Sequence, residues 1–382
     1  MKVPNSVLVI TIAGYTAFLS CDQKDLLSPV NSNPYANERA GKNILGTLSI
    51  SAADADLAYS AFNTACFNPA THLYYSTTNK DGIAAIWTQA IFWDMAMDVY
   101  HRKQTSEQLQ LVNDMYQGGY NQYDGYNWEN KTTWFIYDDM MWWIMALARA
   151  NQLTGNPVYL EKAESGFAHV WAGSYDPDGG GMFWDFNHSG KNSCINFPTV
   201  IAAMRLYTIT GKADYLDKAK SIYKWSKTNL TEEATGKVHD NKIGTNPPGG
   251  QAYTYNAGTA IGAAYALYKQ SSDITYLNDA KRYADYVEDN LCTDGILPAE
   301  GDFNEQGVMK AIFAQYMMQL INEGKQTQYL SWIKNNINTG WANRDPNRNL
   351  TYRNYAVPCP TGYIQTYEAC SLVSFMQLVP AD

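Results

Sequence analysis

Apolar residues recur with helical spacing from about Asn37 to the end of the chain, and no run alternates apolar and polar residues as a half-buried strand would. Two classes of predicted helix alternate. Helices of the first class are apolar on all sides and are rich in Ala, Met and aromatic residues. They are predicted at residues 87–100, 134–153, 195–209, 256–268, 306–321 and 364–378. Helices of the second class are amphipathic, with Lys and Glu on one face, and three are predicted at about 39–62, 106–116 and 327–337.

The other three amphipathic helices contain a short sequence that repeats about every 60 residues. The copies are Tyr159-Leu-Glu-Lys-Ala163, Tyr215-Leu-Asp-Lys-Ala219 and Tyr276-Leu-Asn-Asp-Ala280. Each copy follows an apolar helix and a turn signal, so the repeating unit is a hairpin of one inner and one outer helix. Six such hairpins closed into a ring predict an (α/α)6 toroid, formed by one all-α domain at 36–382. An open α-solenoid is the alternative, although its repeats are usually shorter.

In such a toroid, the loops that lead into the inner helices all open on one face, which we call the mouth. The loops at 176–185, 245–256 and 295–302 are rich in Gly, which lets backbone approach a ligand closely. These loops also carry Trp184, Tyr253 and Tyr255, whose rings are suited to stacking on sugars. A further acidic set is a weaker candidate, because such charges more often only solvate a loop; it comprises Glu300, Asp302 and Glu305.

Asp138 and Asp139 are consecutive carboxylates inside the apolar run 132–143, near the start of the second inner helix. Burying two ionised carboxylates costs free energy unless they are paired or neutralised. Like charges this close raise the pKa of one of the two groups. One protonated and one ionised carboxylate are the groups that a glycosidase uses as general acid and as nucleophile or base. The alternative is structural, because an N-capping Asp and a first-turn Asp both stabilise a helix start.

Asp94 and Asp98 lie one helical turn apart in the first predicted inner helix and therefore share a face. They are a second candidate carboxylate pair, and Asp94 is also a candidate ligand for a sugar hydroxyl. A structural ion pair with Arg102, four residues further on, is an equal alternative for Asp98.

The composition narrows the range of possible functions. The chain of 382 residues carries 28 basic and 37 acidic side chains, a formal charge of −9, which argues against a nucleic-acid partner. Aromatic residues make up 14% of the chain, with 29 Tyr and 11 Trp, as is frequent in secreted carbohydrate-active proteins. The five His residues are scattered and show no metal-binding spacing, so neither a metal nor another cofactor is predicted.

Residues 1–20 have the features of a bacterial lipoprotein signal peptide. Lys2 gives a positive start, the apolar stretch 7–19 is short, and the segment ends in Phe18-Leu19-Ser20-Cys21. We expect Cys21 to be the lipidated N-terminus and 21–35 to be a flexible tether; an ordinary secretory signal is the alternative. The predicted location is therefore the bacterial cell envelope, with a lipid anchor at the outer membrane, the surface or the periplasmic face. The protein is expected to be a monomer. The five remaining Cys are irregularly spaced, which favours buried free thiols, with Cys359 and Cys370 as one candidate bridge.

Several sequence blocks, in order from about Tyr35 to Leu378, resemble glycoside hydrolase family 76, which contains bacterial endo-α-1,6-mannanases and fungal wall transglycosidases. The blocks are Tyr137-Asp138-Asp139-Met140-Met141-Trp142-Trp143, Gly179-Gly-Gly-Met-Phe-Trp184, Lys191-Asn192-Ser-Cys-Ile-Asn196, Tyr255-Asn256-Ala-Gly258 and Gln306-Gly-Val-Met-Lys310-Ala-Ile-Phe313. The adjacent Asp-Asp is the most specific of these marks. The chain departs from the family pattern at Ala257 and Ala311, where a more polar residue and Gly are expected.

The resemblance implies an (α/α)6 fold and a retaining glycosidase that acts within α-mannan backbones. Asp138 would be the nucleophile and Asp139 the acid/base. The residues expected to contact substrate are Asp94, Tyr137, Trp184, Asn196, Tyr255, Asn256 and Lys310. Three other functions stay open: a non-catalytic glycan-binding lipoprotein, a transglycosidase with the same pair, and an (α/α)6 enzyme for uronate-containing sugars. The last predicts a basic cleft, and the mouth loops are not notably basic.

Overall fold

The computed structural model of the chain describes residues 50–301 and 305–380. The predicted signal peptide, the tether, Cys21 and Asp302 lie outside the described residues. The five cysteines within the described part are free thiols. Among the helices of 50–301 and 305–380, none is long and apolar enough to cross a bilayer.

The described residues form twelve α-helices that alternate between an inner and an outer layer. The inner helices are Ile86–Lys103 (α2), Tyr137–Thr154 (α4), Ser193–Thr210 (α6), Thr254–Ser271 (α8), Met309–Asn322 (α10) and Thr366–Leu378 (α12). The outer helices are Ala52–Cys66 (α1), Ser106–Gln122 (α3), Pro157–Ser174 (α5), Ala213–Leu230 (α7), Ile274–Tyr286 (α9) and Leu330–Ala342 (α11). Each inner helix packs on the next, and α12 packs on α2, which closes the ring. The fold is the predicted (α/α)6 toroid, and an open solenoid is excluded.

The burial of side chains explains the two layers. In α6 every residue from Ser193 to Met204 is buried, so only the last turns of this helix reach water. In α5 the buried residues Tyr159, Ala163, Phe167 and Val170 follow the spacing of one helical stripe. Inner helices α8 and α10 approach closely at Gly258: a Cβ there would lie 2.7 Å from the Cα of Phe313.

The turns predicted between inner and outer helices form as the sequence indicates. Gly155 ends α4 with φ of 71°, in the left-handed region that Gly adopts without strain. The side chain of Asn156 then accepts a hydrogen bond from Val158 N at 3.1 Å, and Pro157 occupies the first turn of α5.

The helix that carries the Asp pair begins later than predicted, at Tyr137 and not at residue 134. The cause is a long-range contact: Ile136 is extended (φ −145°, ψ 154°) and forms an isolated antiparallel bridge with Asp185 of the Gly-rich loop. Two short two-stranded ladders also form, pairing Phe67–Asn68 with Leu73–Tyr74 and Lys191–Asn192 with Asn241–Lys242.

Candidate active site

Asp138 and Asp139 are the second and third residues of α4, at the mouth end of an inner helix. Their position is fixed by the loop before α6, because the carbonyl of Trp184 accepts hydrogen bonds from Tyr137 N at 2.9 Å and from Asp138 N at 3.4 Å. A helix N-terminus carries partial positive charge, which favours carboxylates in this first turn. A stabilising role at the helix start therefore explains part of the arrangement, but it does not explain why Asp139 is buried.

The environment pushes the pKa of both carboxyls upward, and by different amounts. The pKa of Asp138 is raised to about 6: burial is the largest cause and the charge of Asp240 adds to it, whereas hydrogen bonds from Cys194 and Asp139 oppose it. Asp139 is only 4% exposed. Burial raises its pKa well above the ordinary value, and the charges of Asp138 and Glu305 add to this effect. The environment therefore favours the proton of the pair on Asp139 and the negative charge on Asp138.

The carboxylate of Asp138 also keeps one oxygen unused. Its Oδ1 is buried and has no hydrogen-bond partner among the described residues. A buried acceptor without a partner is costly in a folded protein, so such an atom is a candidate for a functional role. The arrangement provides an ionised carboxylate oxygen with free lone pairs beside a protonated carboxyl.

A third carboxylate, Asp240, lies close to the pair and was not found from the sequence. Its Oδ1 accepts hydrogen bonds from Asn256 Nδ2 at 3.0 Å and from the hydroxyl of Tyr255 at 3.3 Å. Its charge raises the pKa of Asp138 and of Tyr255. Asp240 follows α7 in a polar segment that carries no motif, and only the ladder formed by neighbouring Asn241 brings it to the mouth.

The mouth loop before α10 is held by buried charges. Glu300 caps α8, because its Oε1 and Oε2 accept hydrogen bonds from Thr254 N and Thr254 Oγ1, each at 2.7 Å. Of the weaker acidic set predicted from the sequence, Glu300 is therefore structural, whereas Glu305 is near enough to act on the pKa of Asp139.

Comparison with known proteins decides the family of this toroid. The family model described as glycosyl hydrolase family 76 matches residues 50–379. The chain belongs to glycosyl hydrolase family 76. The sequence resemblance is thereby confirmed over nearly the whole of the described domain.

Several relatives within this family are similar in sequence and structure. A mannan endo-1,6-α-mannosidase (DCW1) of Eremothecium gossypii is 25% identical over 298 residues, which are 69% of this chain and 64% of that protein. The chain thus spans less than two thirds of that relative's length. The structure of the GH76A α-1,6-mannanase of Salegentibacter sp. HEL1_6 matches with a TM-score of 0.77 and 27% identity, covering 86% of this chain and 97% of that one. A variant of the same enzyme described as inactive, with two consecutive Asp replaced by Asn and with α-1,6-mannotriose bound, matches with a TM-score of 0.76 at 26% identity and the same coverage.

Two residues of the family 76 motifs, predicted to contact sugar, are instead completely buried and bonded to backbone. Asn196 is 0% exposed, and its side chain bonds Met182 N at 2.8 Å, Met182 O at 2.9 Å and Asn192 O at 2.9 Å. Lys310 is also 0% exposed and donates to Pro298 O at 2.8 Å and to Ala299 O at 3.1 Å. Both side chains hold mouth loops in place, so the prediction of direct sugar contact is corrected for both.

Asp94 and Tyr137 are corrected for a similar reason. Asp94 lies midway along α2, is 5% exposed, and accepts a hydrogen bond from Arg149 at 3.2 Å. Asp98 bonds the same guanidinium, so the alternative ion pair of Asp98 with Arg102 is also wrong. The ring of Tyr137 packs edge-on against Phe186 and lies beside α5, on the outer layer.

Trp184 and Tyr255 lie at the mouth, and their contacts with sugar stay predictions. Trp184 is half-buried, and its indole donates to Ser189 Oγ at 2.9 Å. Asp240 holds Tyr255 and Asn256 close to the pair, but Asn256 is 0% exposed, so its direct contact with sugar is corrected as for Asn196. Asp138, Asp139, Tyr255 and Asn256 are therefore the predicted site residues that the fold brings together.

Proposed function

We propose that this family 76 chain is an endo-acting glycoside hydrolase that cleaves α-1,6-mannosidic bonds in mannan backbones and retains the anomeric configuration. The observation that carries the proposal is the pair at the mouth, in which Asp139 is buried, Asp138 is half-buried, and the pKa values of both carboxyls are raised, each by its own set of neighbours. Two carboxyls with separated pKa values provide both the acid and the ionised group that glycoside cleavage requires.

The relatives support the same pair and the same substrate class. The Salegentibacter enzyme is an α-1,6-mannanase, and its inactive variant carries replacements at two consecutive Asp while holding α-1,6-mannotriose. In the present sequence, Asp138-Asp139 is the one place where two Asp are consecutive. We take Asp138-Asp139 to correspond to the pair replaced in the inactive variant, and the substrate class of that enzyme is carried over as part of this proposal.

The first chemical step assigns a role to each carboxyl. Protonated Asp139 donates its proton to the glycosidic oxygen as the bond to the leaving sugar breaks. A carboxylate oxygen of ionised Asp138 attacks the anomeric carbon and forms a glycosyl-enzyme ester. The proton that Asp139 gives up leaves with the departing hydroxyl, so the charge of the pair is conserved as Asp138 becomes neutral in the ester.

The second step reverses these roles. Asp139, now ionised, accepts a proton from water, and the resulting nucleophile attacks the anomeric carbon of the ester. Asp138 leaves as a carboxylate, and Asp139 is protonated again. Transfer to a sugar hydroxyl in place of water would give a transglycosidase with the same residues.

The proximity of the two carboxyls favours retention over inversion. The two carboxyls are near enough that the charge of Asp138 raises the pKa of Asp139. An inverting enzyme needs carboxyls about 6.5–9.5 Å apart to leave room for the attacking water, whereas a retaining enzyme places them about 5–5.5 Å apart. Neighbouring residues in one helical turn suit the shorter separation.

Linear α-1,6-mannan is the substrate that tests the proposal. We expect the wild-type protein to release reducing ends from this polymer, with oligosaccharides of several lengths appearing from the first time point. Polymers with only α-1,2 or α-1,3 linkages serve as matched controls and are expected to stay intact. Release of mannose alone would contradict endo action. Binding to the polymer with no release at all would favour the non-catalytic alternative.

A further inference from the structure

A row of aromatic rings crosses the mouth next to the Asp pair. The ring centroids of Trp87 and Trp142 are 5.8 Å apart, those of Trp142 and Tyr255 are 6.4 Å apart, and those of Tyr255 and Tyr253 are 6.0 Å apart. The four rings come from α2, α4 and the start of α8, which are three of the six inner helices. The family motifs include only Trp142 and Tyr255 from this row.

The pair lies between the two ends of the row. Trp142 is one helical turn after Asp138 and therefore lies beneath it, toward the interior of the ring. Tyr255 is close enough to Asp138 that this carboxylate raises the pKa of its phenol. Trp87 is the second residue of α2, on one side of α4, and Tyr253 immediately precedes α8, on the other side.

Burial differs between the middle and the ends of the row. Trp142 and Tyr255 are 2% and 9% exposed, so their faces are used by the protein. Trp87 and Tyr253 are only half-buried, so each keeps part of its surface accessible. A flat apolar surface at this depth, beside polar groups that fix orientation, is the usual construction of a sugar-binding site.

We propose that this row sets the direction in which the mannan backbone crosses the Asp pair, with Trp87 and Tyr253 stacking on sugars at opposite sides of the scissile bond. The proposal rests on the proposed hydrolysis of mannan. Stacking at a distance from the cleaved bond holds the anomeric carbon against Asp138 and aligns the glycosidic oxygen with Asp139. The two end rings therefore select which bond of an oligosaccharide is cut.

Linear α-1,6-mannohexaose labelled at its reducing end tests this directly, because the label reports which bond is cleaved. Trp87→Ala and Tyr253→Ala are each expected to lower kcat/KM about tenfold, the loss of one stacking contact. They are also expected to move the main cleavage position in opposite directions along the hexaose. Trp87→Phe and Tyr253→Phe keep a ring and should retain the wild-type pattern. Tyr207→Ala is a matched control, since Tyr207 is half-buried near the far end of α6.

Two results would overturn the proposal: an unchanged cleavage pattern in both alanine variants, or shifts in the same direction. A second measurement does not depend on turnover: the affinity for the hexaose is measured in a protein that carries both Asp138→Asn and Asp139→Asn. There, Trp87→Ala and Tyr253→Ala should each weaken binding about tenfold, and unaltered affinity in both would likewise count against the row. An inactive wild type that still loses affinity in these variants would contradict the proposed hydrolysis while supporting the stacking sites.

Discussion

Replacing Asp138 or Asp139 with Asn is expected to lower kcat/KM on linear α-1,6-mannan at least about a thousandfold, an increase of about 4 kcal/mol in the activation free energy. Asp138→Asn removes the nucleophile, and Asp139→Asn removes the proton that the leaving oxygen needs. Asn is nearly isosteric with Asp and relieves the cost of burying two carboxyls, so both variants should fold at least as well as the wild type. Reducing-end release and urea unfolding measure the two effects.

A substrate with a good leaving group separates the two roles. An aryl α-1,6-mannobioside with a dinitrophenyl leaving group needs no protonation, so Asp139→Asn should still release the phenol in a first burst, whereas Asp138→Asn should not. Asp178→Asn, in the exposed part of the nearby Gly-rich loop, is the matched control and should keep full activity. A burst in Asp138→Asn and none in Asp139→Asn would reverse the assignment, and full activity in both would remove the pair from the chemistry.

The dependence of kcat/KM on pH is expected to be bell-shaped, with one limb set by the ionisation of each carboxyl. Asp138 acts as the ionised form, and its pKa is raised to about 6, so activity should rise as the pH increases through about 6. Asp139 acts as the protonated form, so activity should fall once the pH passes its pKa, which lies well above the ordinary carboxyl range. Initial rates at low substrate concentration across the pH range, at constant ionic strength, measure both limbs.

Asp240→Asn tests the physical cause of the acidic limb. Because the charge of Asp240 raises the pKa of Asp138, its removal should move this limb to lower pH. The amide keeps the size of the side chain and an oxygen that can accept from Asn256. Asp178→Asn should leave the limb where it is. A limb that does not move, or that moves to higher pH, would show that Asp240 does not act on the nucleophile.

The helical hairpins were predictable because the pattern of apolar residues along each helix matches the side chains that are buried. Inner helices such as α6 are buried on all sides and read as apolar throughout, while outer helices such as α5 show one buried stripe. The turn at Gly155 and the cap at Asn156 are local, so the sequence carries them directly. The start of α4 was predicted three residues early, since the bridge between Ile136 and Asp185 depends on a loop distant in sequence.

The pair itself was predictable because two adjacent Asp inside an apolar run conflict with local burial preferences. The roles of the residues around the pair were not predictable from the sequence. Motifs mark Asn196 and Lys310 but do not tell whether a side chain meets substrate or backbone, and the structure shows that both bond buried loop carbonyls. Nothing in the sequence marks Asp240, because a single Asp in a polar segment looks like an ordinary solvent-exposed Asp. Its place near the pair becomes visible only in the structure, where neighbouring Asn241 pairs with Asn192.

Proton NMR of the first product formed by the wild-type protein tests most directly whether Asp138 and Asp139 act as nucleophile and acid/base. A linear α-1,6-mannooligosaccharide is hydrolysed with enough enzyme to cleave it before the new reducing ends mutarotate. Double displacement through Asp138 predicts that the α-anomer appears first and the β-anomer only later. Appearance of the β-anomer first would contradict this account, because it requires a water molecule, and not Asp138, to attack the anomeric carbon.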